Sequence, residues 1–296
     1  MWEKARSMKI PISKRLLCCA ELVPPCGTVA DVGTDHGYLG IYLLQSGRCA
    51  RVIAVDLREK PLASARANAA AFGIPIAFPL GGRGPGAKPP KGMACASAHS
   101  APALPAEPHR GSGAERACTG ADEGESPNVQ TAITGGMEFV LSDGLHNIEP
   151  GAFDTLVLAG MGGDLISNIL AEAPWLDGGA YSLILQPQSA ANDLRRWLGE
   201  RSWAIERERL VRDGRFLYSV MLVHPGQGRA LSPGEQYVSP ALRREGDPLY
   251  ADYLARTRRA LELTVRGITK SADPTDLARA AYYQAALEEV ASLGAL

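Results

Sequence analysis

The fold of this chain is decided by the stretch Thr28-Val29-Ala30-Asp31-Val32-Gly33-Thr34-Asp35-His36-Gly37. Its first five residues form a short apolar pattern that favours a strand, and the glycines that follow allow a tight turn. A helical pattern continues over residues 38–44, and Arg51-Val52-Ile53-Ala54-Val55-Asp56 is a second apolar strand that ends in an acid. Strand, glycine turn, helix and strand in this order predict one βαβ unit.

Patterns on both sides of this unit continue the alternation of helices and strands. Ser13 is a typical N-cap for a helix over residues 14–22, which Pro24-Pro25 ends. The later patterns predict, in chain order, a helix from Pro61 to Ala71, strands over 137–143 and 153–159, a helix over 164–171, a strand over 181–185, a helix over 192–200, and a hairpin of strands 203–209 and 216–223. We therefore predict a Rossmann-like α/β fold, a doubly wound and mainly parallel sheet with an antiparallel edge.

Two further regions do not continue the alternation of helices and strands. Residues 79–135 are rich in Gly, Pro, Ala and Ser and have no apolar periodicity, which predicts a disordered insertion. Residues 249–268 and 274–292 have helical patterns and are joined by a turn, which predicts a C-terminal helical hairpin. We expect a sheet domain over residues 8–228, which contains the insertion, and a helical hairpin domain over residues 235–296.

Composition narrows the class of protein. The formal net charge of -1 means that a nucleic acid would have to bind to a local basic surface. No apolar run reaches the roughly 18 residues of a membrane span and no signal-peptide pattern is seen, so we expect a cytoplasmic protein without a membrane partner. The six cysteines have no metal-ligand spacing, so we expect no metal and reduced structural thiols: Cys18, Cys19, Cys26, Cys49, Cys95 and Cys118.

Candidate ligand-binding residues follow the predicted strands at their carboxyl ends, where open α/β sheets bind ligands. The loop of residues 31–37 lets the backbone approach a ligand, and Asp56 is positioned to accept hydrogen bonds from ribose hydroxyls. Asp143 and the turn Gly160-Met161-Gly162-Gly163 end the next strands, and Leu185-Gln186-Pro187-Gln188 closes the one after. Each motif alone is also compatible with an ordinary turn or helix cap.

Taken together, these segments resemble the TrmK family of bacterial methyltransferases, which modify N1 of adenine 22 in tRNA. The resemblance rests on Ile12-Ser13-Lys14-Arg15-Leu16, Ala30-Asp31-Val32-Gly33-Thr34-Asp35-His36-Gly37-Tyr38-Leu39, Ser142-Asp143-Gly144-Leu145, Leu158-Ala159-Gly160-Met161-Gly162-Gly163 and Leu185-Gln186-Pro187. It covers most of the chain apart from the insertion. One departure is Gln188, which stands where the family usually has asparagine.

The resemblance implies a class I methyltransferase fold, S-adenosylmethionine as cofactor and tRNA as partner, and specifies no oligomeric state. It implies cofactor-binding roles for Asp31, Gly33, Asp35, His36, Gly37, Tyr38, Asp56, Asp143, Gly144, Gly160, Met161 and Gly162. The acids and the histidine nearest the expected methyl position are catalytic candidates, without a general base being assigned: Asp31, Asp35 and His36. His36 is equally compatible with a hydrogen bond inside the loop.

Recognition of tRNA requires positive charge near the site, since phosphates dominate RNA affinity. The candidates for RNA contact are Lys14, Arg15, Gln186, Arg195, Arg196, Arg256 and Arg259. Acidic residues are interspersed among the C-terminal arginines, so a merely solvated helical face is the alternative.

Other functions remain open at this point. A methyltransferase of another RNA, a protein or a small molecule would use the same cofactor loop. An NAD-dependent oxidoreductase would also use the βαβ unit, although Leu39-Gly40 stands where the third glycine of the dinucleotide fingerprint is expected. A nonenzymatic RNA-binding protein would bind no cofactor.

Overall fold

A computed structural model of the chain describes residues 9–77, 135–268 and 274–294. Its centre is a seven-stranded sheet in the order β3-β2-β1-β4-β5-β7-β6. The strands are β1 (Cys26–Val32), β2 (Cys49–Asp56), β3 (Met137–Leu141), β4 (Thr155–Gly162), β5 (Ser182–Ser189), β6 (Trp203–Asp213) and β7 (Phe216–Gln227). The pairs among β1 to β5 are parallel and β7 is antiparallel to both neighbours. The predicted mainly parallel sheet with an antiparallel edge is confirmed.

Helices cover both faces of this sheet. Those of the sheet region are α1 (Lys14–Leu22), α2 (Tyr38–Gln45), α3 (Glu59–Ala71), α4 (Gly163–Ala171) and α5 (Ala191–Glu200), with a 3-10 helix at Pro174–Gly178. The central strands alternate between two apolar clusters. Leu156 and Leu158 of β4 pack with α4 and α5, while Val157 between them packs with α1 and α2. Burial of one such side chain contributes about 1.5–3 kcal/mol to stability. Because helices cover both faces of the sheet, β1, β2, β4 and β5 are mainly apolar on both faces.

The C-terminal helices pack around a third apolar cluster. They are α6 (Pro233–Tyr237), α7 (Pro240–Glu245), α8 (Tyr250–Ile268) and α9 (Pro274–Ser292). Leu261 of α8 and Val290 of α9 are buried in this cluster together with Leu210 of β6. The helices predicted over residues 249–268 and 274–292 are confirmed, and the division into domains at about residue 230 stays a prediction.

Several sequence expectations concern segments that the structure does not describe. The predicted insertion over residues 79–135 lies outside the described residues except for Gly135, and so do Cys95 and Cys118. In the described ranges, Cys18, Cys19 and Cys49 are buried, and no group of metal-ligating side chains has the geometry of a metal site. No helix within these ranges is both long and apolar enough to cross a bilayer.

Candidate functional site

The predicted site residues lie at or just beyond the carboxyl ends of four adjacent strands. Asp31 of β1 pairs with Ala54, two residues before the end of β2, and Asp56 pairs with Leu141 at the end of β3. Because β3, β2, β1 and β4 are consecutive neighbours, their carboxyl ends lie side by side, and we call the region outside these ends the crevice. Three carboxylates and the β4 turn are thereby brought to the same edge.

The loop after β1 depends on glycine at two positions. Gly33 and Gly37 have φ values of +79° and +73°, a region that glycine adopts without steric cost. Gly33 N–H donates to Val55 O at 2.8 Å, which fixes the loop to β2. A Cβ at Gly33 would lie 2.4 Å from Cε of Met161, so the β4 turn packs directly on this loop.

Asp31 is a buried carboxylate at the base of the loop. It is 4% exposed, and Oδ2 accepts a hydrogen bond of 2.8 Å from the Thr34 hydroxyl. Burial raises the pKa of Asp31 to about 6, with a further increase from the charge of Asp56, while the Thr34 hydrogen bond acts in the opposite direction. A cation in the crevice would favour the ionised form of this group.

Asp35 and His36 lie at the exposed part of the loop. Nε2 of His36 is 3.6 Å from the Asp35 carboxylate, and Nδ1 is 3.0 Å from the Ser64 hydroxyl. Asn68 donates to the backbone oxygen of His36 at 2.9 Å. Ser64 and Asn68 were missed by the sequence analysis, although their i, i+4 spacing on α3 puts them on one helix face. The alternative of a loop-bound histidine therefore has direct structural support.

Asp56 and Asp143 differ in their exposure. Asp56 is buried, and Oδ1 accepts the backbone N–H of Arg58 at 2.9 Å, which forms a local turn before α3. Asp143 is exposed at the rim of the crevice. Behind it, Gly144 has a φ of +54° and lies against Ile169 of α4. The two acids thus occupy the inner and outer parts of one side of the crevice.

The corner between β4 and β5 is organised by Gln186. Its Oε1 accepts hydrogen bonds from Gly160 N–H at 3.0 Å and from Arg15 Nη1 at 2.8 Å. Gly160 has a φ of +81°, and a Cβ there would lie 3.1 Å from Arg15 Nη1. Gln186 is 0% exposed, so the prediction that its side chain contacts RNA is wrong for this structure. The side chain instead joins α1 to the β4 turn.

Arg195 also departs from its predicted role. It is 0% exposed and paired with the equally buried Glu208 of β6. Nη1 donates to the backbone oxygens of Gln236 and Tyr237 at 3.0 and 3.2 Å, and Nη2 donates to the Tyr253 hydroxyl at 3.1 Å. The prediction of an RNA contact is wrong for Arg195, because its guanidinium is enclosed between the sheet and the C-terminal helices.

The remaining RNA candidates are accessible to different degrees. Lys14, Arg196, Arg256 and Arg259 are exposed, and Arg15 is half-buried. Two of them form exposed ion pairs, Arg196 with Asp193 and Arg256 with Asp252. Pairs of this kind contribute little to stability, so these guanidinium groups remain available to a phosphate.

Comparison with known proteins agrees with this arrangement. The model of the tRNA (adenine(22)-N(1))-methyltransferase family matches residues 127–291, and a general methyltransferase domain model matches residues 12–78. The tRNA (adenine(22)-N(1))-methyltransferase of Bacillus subtilis strain 168 is 24% identical over 271 residues, which cover 90% of this chain and 89% of the relative.

Solved structures of similar proteins share the fold. The crystal structure of the B. subtilis M1A22 tRNA methyltransferase TrmK superposes with a TM-score of 0.67 at 21% identity, covering 96% of this chain and 99% of that one. The structure of Streptococcus pneumoniae Sp1610 in complex with S-adenosyl-L-methionine has a TM-score of 0.61 at 22% identity, with coverage of 93% and 99%. M. capricolum TrmK in complex with S-adenosyl-homocysteine gives 0.58 at 19% identity, with coverage of 95% and 97%. Since the family model covers more than half of the sequence, this chain belongs to the tRNA (adenine(22)-N(1))-methyltransferase family, TrmK.

Proposed function

We propose that this chain transfers the methyl group of S-adenosylmethionine to N1 of adenine 22 in tRNA. The observation that carries the proposal is the placement of Asp31, Asp56, Asp143 and the Gly160 turn at the carboxyl ends of four consecutive strands of the sheet. Family membership selects the methyl donor and the tRNA substrate from the functions that such a crevice supports.

The residues of the crevice fit the cofactor. Positive φ values at Gly33 and Gly37 shape the tight loop after β1, and the buried Asp31 carboxylate suits a cationic group. Asp56 would accept the ribose hydroxyls, and Asp143 the exocyclic amine of the cofactor adenine. The remaining cofactor candidates are Asp35, His36, Tyr38, Gly144, Met161 and Gly162. When bound, the cofactor supplies an activated methyl group on a sulfonium.

The main task of the chain is to position the substrate base. N1 of adenine carries a free lone pair at neutral pH, so attack requires no strong base and we assign none. The crevice must hold N1 in line with the methyl group and exclude water. The product is cationic, so a nearby carboxylate or carbonyl stabilises the charge as it develops. Asp31 and Asp35 remain the candidates for this role, and His36 is the candidate for orienting a group near the methyl position.

The tRNA must present its adenine outside the base stack, because the reacting nitrogen is otherwise enclosed. We propose that Lys14, Arg15, Arg196, Arg256 and Arg259 hold the phosphates around it, and that the helical domain over residues 235–296 extends this surface. From the tRNA substrate we also infer that the chain works in the cytoplasm.

Incubation of the chain with labelled S-adenosylmethionine and unmodified bacterial tRNA tests the proposal. Nucleoside analysis should detect 1-methyladenosine, and a tRNA in which adenine 22 is replaced by guanine should take up no label. Calorimetry should detect binding of S-adenosylhomocysteine and none of NAD. Cofactor binding without methylation of any tRNA would contradict the proposed substrate, and NAD binding would favour the oxidoreductase alternative.

Cofactor affinity should depend on pH through Asp31. Its pKa of about 6 means that the carboxylate is ionised at about pH 7.5 and mostly protonated at about pH 5. Because the cofactor is cationic, it should bind the ionised form of Asp31. Its Kd should therefore rise about tenfold as the pH falls from about 7.5 to about 5. Calorimetry across the interval measures the effect.

Two controls separate Asp31 from other groups that titrate in this range. Asp31→Asn should bind the cofactor weakly at both pH values, with the pH dependence removed. Methylthioadenosine lacks the charged methionyl groups, so its Kd should stay constant in the wild-type chain. A pH dependence that persists in Asp31→Asn would assign the effect to another group.

A further inference from the structure

A series of cation and aromatic contacts leads from the β4–β5 corner to the turn of the β6–β7 hairpin. The guanidinium carbon of Arg15 lies 5.6 Å from the centre of the Tyr218 ring. The Tyr218 and Phe216 rings are 6.0 Å apart between centres, with an interplanar angle of 41°. The guanidinium of Arg215 then covers the Phe216 ring at 4.9 Å. We call these four residues the hairpin platform.

The topology places the hairpin platform beside the crevice. Strand β7 is antiparallel to β5, so its first residues lie at the edge where β4 and β5 end. Arg15 connects the two regions directly, because it donates to Gln186, which also accepts the N–H of Gly160. The platform is therefore continuous with the corner between β4 and β5, beside the proposed site.

Two members of the hairpin platform are exposed to solvent. Phe216 has 51% of its surface exposed, and Arg215 is exposed beside it. Among the described residues neither Arg15 nor Arg215 forms an ion pair, whereas Arg209 and Arg212 of the same hairpin pair with Glu21 and Asp252. An open aromatic surface bordered by arginines without acidic partners fits a ligand that has flat bases and phosphates.

We infer that the hairpin platform binds a nucleotide of the tRNA next to the target adenine. When the target adenine leaves its stack, the neighbouring bases lose a stacking partner. Phe216 and Tyr218 would replace that partner, while Arg15 and Arg215 bind the flanking phosphates. This inference rests on the proposed function, since it concerns the RNA held at the same site.

Phe216→Ala tests the inference through the KM for tRNA. Stacking of one base on an aromatic side chain accounts for about a fivefold change in affinity or more, so the KM for tRNA should rise at least about fivefold. Phe216 would contact the neighbouring nucleotide and neither the cofactor nor the target base, so kcat and the Kd for S-adenosylhomocysteine should stay within about twofold of wild type. Phe216→Tyr should restore the KM, because a tyrosine ring stacks as well.

Arg215→Ala tests the phosphate contact separately. The affinity of this variant for tRNA should fall, and the negative slope of the logarithm of affinity against the logarithm of salt concentration should become shallower by about one. Arg201→Ala is the matched control, because the Arg201 guanidinium also covers an aromatic ring, that of Trp197 at 4.4 Å. Arg201 lies just before β6, at the end of this strand opposite to the hairpin turn. Ile76→Ala is the control for Phe216→Ala, because it removes an exposed apolar side chain near the start of β3.

Direct tRNA binding distinguishes failure of this inference from failure of the proposed function. A wild-type chain that binds tRNA without methylating it would contradict the proposed function, and the same binding comparison would still decide the role of the platform. If Phe216→Ala and Arg215→Ala bind tRNA as tightly as the two controls do, the platform has no part in RNA recognition and the inference is wrong.

Discussion

Replacement of Asp56 by alanine should weaken cofactor binding about a hundredfold. In the proposed function the buried carboxylate accepts two hydrogen bonds from ribose hydroxyls, and hydrogen bonds to a charged group contribute about 1.5–3 kcal/mol each. Loss of both corresponds to at least two orders of magnitude in Kd. Methyl transfer at low cofactor concentration should fall by the same factor. Calorimetry with S-adenosylhomocysteine and initial rates with tRNA measure the two effects.

The alternative role of Asp56 is local, because Oδ1 also accepts the backbone N–H of Arg58. Asp154→Ala provides a matched control. Its carboxylate accepts the N–H groups of Gly27 and Thr28 at 2.9 and 2.8 Å at the other end of β1. Both variants should lose about 1 kcal/mol of stability from these backbone hydrogen bonds, and only Asp56→Ala should lose the cofactor. Equal cofactor affinity in the two variants would show that Asp56 serves the turn alone.

The sequence predicts those parts of the site that depend on the order of the strands and on the residues at their carboxyl ends. Strand patterns ended by Asp31, Asp56, Asp143 and Gly160 define the crevice, because parallel neighbours necessarily bring their carboxyl ends to one edge. The roles of Gln186 and Arg195 depend on residues distant in sequence. Arg195 has an ordinary position near the start of α5, and nothing local indicates that Glu208 and the C-terminal helices enclose it.

Other omissions had signals that were available in the sequence. Helices α6 and α7 were not predicted, although Ser232-Pro233 and Ser239-Pro240 are typical helix starts and Ser232 forms a capping box with Glu235. Short helices have little apolar periodicity, which is the pattern that predicts the longer helices. The contact between Arg15 and Tyr218 follows from the topology of the sheet. An antiparallel strand starts beside the carboxyl ends of the parallel strands, which brings the beginning of β7 close to α1.

The burial of Arg195 leads to the prediction with the largest expected effect on stability. Arg195→Met should destabilise the chain by about 3–5 kcal/mol, because it leaves the Glu208 carboxylate buried without its partner. Burial alone would lower the pKa of Arg195, but the Glu208 charge raises it above its ordinary value, so the guanidinium is charged. The backbone oxygens of Gln236 and Tyr237 would also lose a donor. Urea denaturation at neutral pH measures the change in unfolding free energy.

The neighbouring arginine is a control for the general effect of removing a charge from α5. Arg196 is exposed and pairs with Asp193 at 3.0 Å, so Arg196→Met should change stability by no more than about 1 kcal/mol. The double variant Arg195→Met with Glu208→Gln should recover part of the lost stability, since no uncompensated charge then remains in the interior. Recovery of this kind would separate the cost of the orphaned carboxylate from the loss of packing.

The same variants distinguish a structural role for Arg195 from the direct RNA contact that the sequence suggested. A surface RNA contact predicts unchanged unfolding and weaker tRNA binding in Arg195→Met. The buried ion pair predicts a large fall in the free energy of unfolding. The molecules that remain folded should keep their affinity for the cofactor. Because Arg195 joins α5 to the ends of α6 and to Tyr253 of α8, tRNA affinity should fall only through the loosened C-terminal helices. That loss should therefore be reduced in the double variant, whereas loss of a direct contact would persist in it.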